Sequence, residues 1–95
     1  MTGMAQVTVE LPTLLTQVTG VPARVPVEAA SRGEAMRVLV ERHPALGVHL
    51  FDESGGFRQH VLCFHNGANT RWDAAGDEAV SDGDVLTIIQ AVSGG

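Results

Sequence analysis

The last residue of the sequence, Gly95, offers a terminal carboxylate as a reactive group. A protein C-terminal carboxyl group has a pKa of about 3.3–3.7 and is ionised at neutral pH, so it is a poor electrophile. Another enzyme would have to convert it to an acyl-adenylate or a thioester before it could react. We therefore expect Gly95 to be the reacting residue and this chain to be a substrate rather than an enzyme.

The two residues before the terminus, Ser93 and Gly94, suit a tail that enters a narrow active site. Glycine has no Cβ, so Gly94 and Gly95 pass a tight channel and adopt whatever backbone angles it requires. With 11 glycines in 95 residues, a Gly-Gly ending arises by chance in roughly 1% of chains. An inert, disordered end remains the alternative when these two residues are considered alone.

A strand pattern leads into this tail. Residues 85–89 are apolar and rich in β-branched side chains, which is the strongest strand pattern in the chain. The pair Asn66-Gly67 is typical of a tight hairpin turn, and residues 81–84 predict another turn. Four further segments have weaker strand patterns, at residues 6–11, 24–28, 60–65 and 69–72.

One main helix is predicted between the second and third strands. Ser31 and Glu34 have capping-box spacing, in which each side chain bonds the backbone N–H of the other. The helix should run to about Arg42, because Pro44 disfavours helical geometry at the residue before it. Residues 46–51 are predicted as a short helical turn, and residues 12–22 as an irregular connection with a turn at Gly20.

The order of elements is strand, strand, helix, strand, short strand, strand. The first and last strands can lie side by side as a parallel pair at the centre of a mixed sheet, which suits the nearly continuous apolar run of the last strand. We therefore predict an α+β fold of the ubiquitin-like β-grasp type, with about five strands and one helix across one face. Residues 1–92 would form this domain and residues 93–95 a flexible tail.

Net charge and basic residues limit the partners. The formal net charge is −5, and the six basic residues are all arginine. An acidic chain does not favour nucleic acid, because phosphate binding requires clustered Lys or Arg. It favours a protein partner with a basic docking face. Without lysine, no side-chain amine of the chain can accept an acyl group from another copy.

Cysteine content and hydropathy limit the compartment and the cofactors. One cysteine cannot form an internal disulfide or the four-thiolate site of an iron–sulfur cluster. No apolar run approaches the roughly 20 residues that cross a bilayer, and residues 1–4 do not begin a signal peptide. We expect a cytoplasmic protein without a bound cofactor.

The end of the chain resembles the C-terminus of the ThiS/MoaD sulfur carrier proteins. The segment SDGDVLTIIQAVSGG, residues 81–95, is similar to their pattern of Asp-Gly-Asp, an apolar strand, a short Pro/Ala/Val stretch and Gly-Gly. Residues 9–15, VELPTLL, and the Asn66-Gly67 turn also fit. The front end is most similar to the cysteine-biosynthesis carriers of the CysO type. Departures are Gln90, where many relatives have proline, and His65, where the position is usually aliphatic.

The resemblance implies a sequence of partners. An adenylating enzyme of the ubiquitin-activating type would use ATP to activate Gly95. Sulfide, a persulfide or a rhodanese-type donor would then give a C-terminal thiocarboxylate. An acceptor synthase would take the sulfur; in the cysteine branch the acceptor is an activated serine derivative, and a metalloprotease releases the added cysteine. In other branches the acceptor is a pterin, a thiazole precursor or a precursor of a secondary metabolite.

Apolar residues near the root of the tail predict a docking patch. In the proposed sheet, Phe64 and Ile89 lie on neighbouring strands and point away from the helix, with Leu62 as a third member. Val92 would extend the patch into the tail. Scattered apolar residues are common on surfaces, but a compact exposed group often marks a binding site. We predict that the activating enzyme and the synthase bind here.

Cysteine and histidine residues invite other chemistry. Cys63 lies in mid-strand on the face of Val61, and free cysteine is usually buried, so we predict a core residue. The four histidines, at positions 43, 49, 60 and 65, have no metal-ligand spacing, and no cysteine pair accompanies them. We expect no metal site, and no nucleophile motif for a Ser-His-Asp enzyme is present.

Two other function classes remain open from the sequence. A ubiquitin-like protein modifier, joined through Gly95 to target lysines, would use the same activation chemistry. An interaction domain with an inert tail would need no activation.

Overall fold

The described part of the chain, residues 4–54, 58, 60–70 and 78–90 in the computed structural model, contains one five-stranded sheet and three helices. The strands are β1 (Ala5–Glu10), β2 (Arg24–Ala29), β3 (Val61–His65), β4 (Ala68–Asn69) and β5 (Val85–Gln90). The helices are α1 (Thr13–Thr19), α2 (Arg32–Arg42) and α3 (Ala45–Leu50). The order across the sheet is β2-β1-β5-β3-β4.

Strands β1 and β5 form the parallel pair at the centre of the sheet, with Val9 opposite Leu86 and Glu10 opposite Thr87. All other neighbouring strands are antiparallel. The predicted β-grasp arrangement is therefore confirmed. Because the two central strands run in the same direction, both end on one side of the sheet. We refer to this side, where Glu10 ends β1 and Gln90 ends β5, as the Gln90 end.

The core lies between the sheet and the helices. Alternate strand residues are buried, as the pleat of a sheet with one covered face requires. The helices contribute Leu15, Leu39, Leu46 and Leu50, each at most 1% exposed. Strand residues of the same cluster are Val7, Val9, Val25, Val27, Val61, Leu86 and Ile88.

Helix α2 begins with the predicted cap. The Ser31 hydroxyl accepts a hydrogen bond from the Glu34 N–H at 3.1 Å. The Glu34 carboxylate accepts from the Ala30 N–H at 2.6 Å, where the sequence predicted the Ser31 N–H. Two backbone N–H groups at the start of the helix are thus hydrogen-bonded. The second of them belongs to the residue before the predicted one. The helix ends at Arg42, before Pro44, as predicted.

Helix α1 was not predicted, because residues 13–19 contain three threonines and a valine, which are weak helix formers. Its boundary signals are present in the sequence. Pro12 precedes the first helical residue, and Gly20 follows the last in the left-handed conformation, with φ of 76°. Burial of Leu15 in the core favours the helix over an irregular connection.

The short helical turn predicted at residues 46–51 is confirmed as α3, Ala45–Leu50, with Leu50 buried and Phe51 half-buried. The remaining differences concern element ends. The short strand predicted at residues 69–72 is β4, Ala68–Asn69, and residues 71 and 72 lie outside the described residues. The hairpin turn is confirmed, with positive φ at Asn66 (51°) and Gly67 (90°). Gly83, with φ of 89°, forms the turn before β5.

Candidate functional site

The predicted reactive tail follows directly from the central strand β5. Gln90 is the last residue of that strand and pairs with Val61 at the start of β3. Val92, Ser93, Gly94 and Gly95, together with the boundary between the domain and the tail, lie outside the described residues. Their predicted roles therefore remain predictions, and the structure gives the surroundings from which the tail begins.

Gln90 shows an unusual polar environment at this point. Its side-chain oxygen, Oε1, is buried and has no hydrogen-bond partner among the described residues. A buried unsatisfied oxygen costs free energy, on the order of 1–3 kcal/mol. A proline at this position would carry no such group. The root of the tail thus includes a polar group that the described part of the fold does not satisfy.

The predicted docking residues Leu62, Phe64 and Ile89 lie together on the face of the sheet opposite the core; we call them the β3–β5 patch. Leu62 and Ile89 are directly opposite in the ladder, and Phe64, opposite Thr87, is diagonal to Ile89. Ile89 is 40% exposed, and the other two are half-buried. Ile89 immediately precedes Gln90, so the patch borders the root of the tail.

A polar border adjoins the patch on the side of β1. The Thr87 hydroxyl donates to Glu10 Oε1 at 3.2 Å, and Arg24 Nη2 lies 2.9 Å from Glu10 Oε2. The Arg24 side chain is largely exposed, so this ion pair contributes little to stability. Apolar centre and polar border together have the composition of a protein-binding surface.

The unusual His65 belongs to a polar network that sequence reasoning did not find. Arg32 Nη1 lies 3.0 Å from His65 Nδ1, and His65 Nε2 lies 2.7 Å from Asp84 Oδ2. Asp84 also accepts from the Asn66 side chain and from the Ser81 N–H, each at 2.9 Å. Arg32 is only 5% exposed, and the network provides it with a partner inside the fold. It connects the start of α2, the β3–β4 turn and the start of β5.

The protonation states in this network follow from its donors. An arginine only donates, so Nδ1 of His65 must accept and Nε2 must carry the proton towards Asp84. Hydrogen bonds from the Asn66 side chain, from His65 and from the Ser81 backbone lower the pKa of the Asp84 carboxyl from 3.8 to about 2. The network lies at the end of β5 opposite Gln90, so we assign it to stability rather than to the tail's chemistry.

Cys63 is a core residue, as predicted. It is buried on the helix side of β3, and this burial raises the pKa of its thiol. A buried thiol with a raised pKa provides little of the reactive thiolate. Within the described residues, no three His, Cys, Asp or Glu side chains converge as metal ligands. None of the described helices has the length and apolar character needed to cross a membrane.

Comparison with known proteins gives a family match over nearly the whole chain. The model of the ThiS family matches residues 9–95. Small archaeal modifier protein 1 from Haloferax volcanii is 38% identical over 66 residues, which cover 70% of this chain and 71% of that protein. These matches confirm the resemblance on which the sequence interpretation was based.

Solved structures agree with the fold. The crystal structure of SAMP1 from Haloferax volcanii matches with a TM-score of 0.81 and 33% identity, covering 96% of this chain and all of that one. The Amycolatopsis orientalis BexX/CysO complex matches with a TM-score of 0.79 and 31% identity, covering 94% and 99% of the two chains. Mycobacterium tuberculosis CysO, described as an antigen, matches with a TM-score of 0.77 and 30% identity, covering 90% and 99%.

The hydrogen bonds of Asp84 predict that replacing this residue changes the dependence of the protein's stability on pH. Because the folded pKa of about 2 lies below the ordinary value of 3.8, the ionised carboxylate stabilises the fold. This contribution is complete above about pH 4 and is lost as the pH falls through about 2. We expect Asp84→Asn to lower the Tm at neutral pH, and its Tm to fall less than that of the wild type during acidification.

Thermal melts followed by circular dichroism at several pH values measure this difference. Glu53→Gln removes one negative charge from an exposed position and is the control, with a Tm profile close to that of the wild type. Parallel Tm profiles for Asp84→Asn and the wild type below about pH 4 would show that protonation of the Asp84 carboxylate does not destabilise the fold.

Proposed function

This chain belongs to the ThiS family, and we propose that it is a sulfur carrier whose Gly95 carboxylate is adenylated and then converted to a thiocarboxylate. The observation that carries the proposal is the family match through residue 95, in a chain whose Gly-Gly terminus comes three residues after the central strand β5. Family members are small carriers and modifiers rather than enzymes, so the catalytic groups would belong to partners.

The proposed chemistry requires only the terminal carboxylate from this chain. In the partner's site, a Gly95 oxygen attacks the α-phosphorus of ATP; pyrophosphate leaves and an acyl-adenylate remains. Sulfide then attacks the carbonyl carbon, and AMP leaves with the electrons of the broken C–O bond. The product is a thiocarboxylate, whose sulfur is the nucleophile for the acceptor that a synthase binds. With a persulfide donor, the resulting acyl disulfide needs a thiol to reduce its S–S bond.

The β3–β5 patch provides the docking part of this proposal. The five residues after Gln90 can extend at most about 16–18 Å, so the active site of a bound enzyme must lie within that distance. A partner that covers Leu62, Phe64 and Ile89 binds beside Gln90, after which the last five residues of the chain begin. The net charge of −5 favours a partner with a basic surface around that contact.

The acceptor is the less defined part of the proposal. Similarity to CysO, at 30–31% identity in two solved structures, supports delivery of sulfur for cysteine synthesis, with a synthase and a releasing metalloprotease as further partners. A cofactor or secondary-metabolite precursor as acceptor would use the same thiocarboxylate. We place the protein in the cytoplasm, where ATP is available to the activating enzyme.

Protein modification is the second candidate function, and the name of the Haloferax relative, a modifier protein, favours it. Activation of Gly95 would be the same, but a lysine amine of a target protein would replace sulfide. Immunoblots of source cells under strong denaturant and reductant distinguish the two. A ladder of conjugates that disappears on deletion of Gly95 supports modification, and a single band at the size of the free chain supports the carrier.

Deleting Gly95 should abolish sulfur loading and leave the fold intact. The new carboxylate would lie one residue, about 3.5 Å, short of its position, and a misplacement of even about 1 Å can cost on the order of a hundredfold in rate. The assay is intact mass spectrometry after incubation with the adenylating enzyme, ATP and sulfide. Exchange of oxygen for sulfur adds about 16 Da.

Glu53→Gln, at an exposed position outside the tail, is the control and should be loaded. Thermal melts of the truncated chain should give the wild-type Tm, because the proposal keeps the tail free of the core. Loading of the truncated chain at the wild-type rate would remove Gly95 as the reacting residue. A wild-type chain that never gains the mass would remove the carrier function.

Phe64→Arg should weaken binding of the adenylating enzyme by about tenfold or more, because it places a charge in the apolar centre of the contact. Gln6→Arg is the matched control. It places the same charge on the same sheet face at the start of β1, away from the Gln90 end. Isothermal titration calorimetry gives both affinities, and circular dichroism verifies folding. Equal affinities for the two variants would exclude the β3–β5 patch from the interface.

A further inference from the structure

A second group of exposed apolar side chains lies on the two short helices. Leu14 and Val18 are four residues apart on α1, so they are neighbours on one helix face, and each is 59% exposed. Val48 on α3 is 68% exposed. The two helices pack against each other. We call these three residues the α1–α3 surface; each is more exposed than Ile89 in the β3–β5 patch.

The topology places this surface at the Gln90 end. Helix α1 begins three residues after β1 ends, on the side of the sheet where the parallel strand β5 also ends. Helix α3 is connected to the same side through Arg58, whose side chain donates to the Val48 carbonyl and whose N–H donates to the Leu50 carbonyl, each at 2.8 Å. The Arg58 carbonyl accepts from Val61, the residue paired with Gln90.

The fold itself does not explain these side chains. The buried residue of α1 is Leu15, whereas Leu14 and Val18, which lie beside it on the helix, are turned out of the core and exposed. Polar side chains at the two exposed positions would leave the core unchanged and suit a solvated helix better. The valine also lowers helix propensity slightly. A group of exposed apolar residues often marks a surface that another molecule covers.

The distribution of charged residues indicates what kind of molecule covers this surface. Residues 11–23 contain no Asp, Glu, Lys or Arg, in a chain in which 18% of residues are charged. Helix α3 contains none either, and one charged side chain that contacts it is Arg58, whose Nε donates to the Val48 carbonyl. Depletion of charged residues around exposed apolar ones is typical of the centre of a protein–protein interface. A helix face that remains in contact with solvent usually carries charged and polar residues instead.

We propose that the α1–α3 surface is a second docking surface, which an uncharged, apolar segment of the Gly95-adenylating enzyme covers while the tail occupies the active site. The inference rests on the proposed function, because that enzyme is the partner that must reach the Gln90 end. The β3–β5 patch lies on the open face of the sheet, and the α1–α3 surface lies at the Gln90 end of the sheet. Contacts at both would fix the direction in which residues 91–95 leave Gln90.

The combined variant Leu14→Gln and Val18→Gln tests this proposal. Glutamine is a good helix former without charge, and exposed substitutions usually change stability by less than about 0.5 kcal/mol. The assay is ATP–pyrophosphate exchange catalysed by the adenylating enzyme from the same source, with the carrier chain as the varied substrate. We expect the KM for the carrier to rise about tenfold, with kcat unchanged within about twofold.

Gln17→Ala, at an exposed position of the same helix, is the matched control and should leave KM unchanged. If the wild-type chain supports exchange and the combined variant has the wild-type KM, the second docking surface is wrong and the carrier function stands. If the wild-type chain supports no exchange, the proposed function itself fails. A wild-type dimer in light scattering that the variant loses, with unchanged KM, would assign the surface to a second copy and overturn the proposal.

Discussion

The parallel pairing of β1 with β5 is the constraint on which the rest of the structure depends. It brings the first and last strands to the centre of the sheet, where Val9, Leu86 and Ile88 are almost completely buried. It also makes both strands end on one side. The end of β5, α1 and the start of β3 therefore lie on the same side of the sheet, although they are far apart in the sequence. The proposed function would use this arrangement to present Gly95 beside two apolar surfaces.

The opposite end of β5 holds the polar groups that stabilise the arrangement. Asp84 bonds to His65 and to the Asn66 side chain, and the Thr8 N–H donates to the Asp84 carbonyl at 3.0 Å. Strands β1 and β3 are thus both connected to the turn that begins β5. Ionisable groups with several hydrogen bonds thus stabilise the start of the central strand, whereas the Gln90 end carries the apolar β3–β5 patch beside the Glu10–Arg24 ion pair.

Most of the fold could be predicted from the sequence, because its signals are local. Runs of apolar and β-branched residues predicted the strands, the Ser31 cap predicted the start of α2, and Asn66-Gly67 predicted the hairpin. Helix α1 was missed because its weak propensity is overcome by the burial of a single residue, Leu15. The Arg32–His65–Asp84 network was missed because its members are 33 and 19 positions apart, beyond any periodic pattern. The placement of the β3–β5 patch followed from strand alternation, whereas its binding role depends on a partner that this chain does not specify.

Intact mass spectrometry of the protein purified from its source cells tests the central claim most directly. Our account predicts a species about 16 Da heavier than the unmodified chain, with the added mass located at Gly95 by fragmentation. Treatment with an alkylating reagent should modify this species at its terminus, because a thiocarboxylate sulfur is a strong nucleophile. A chain that carries only an unmodified carboxylate in cells actively assimilating sulfur would contradict the account.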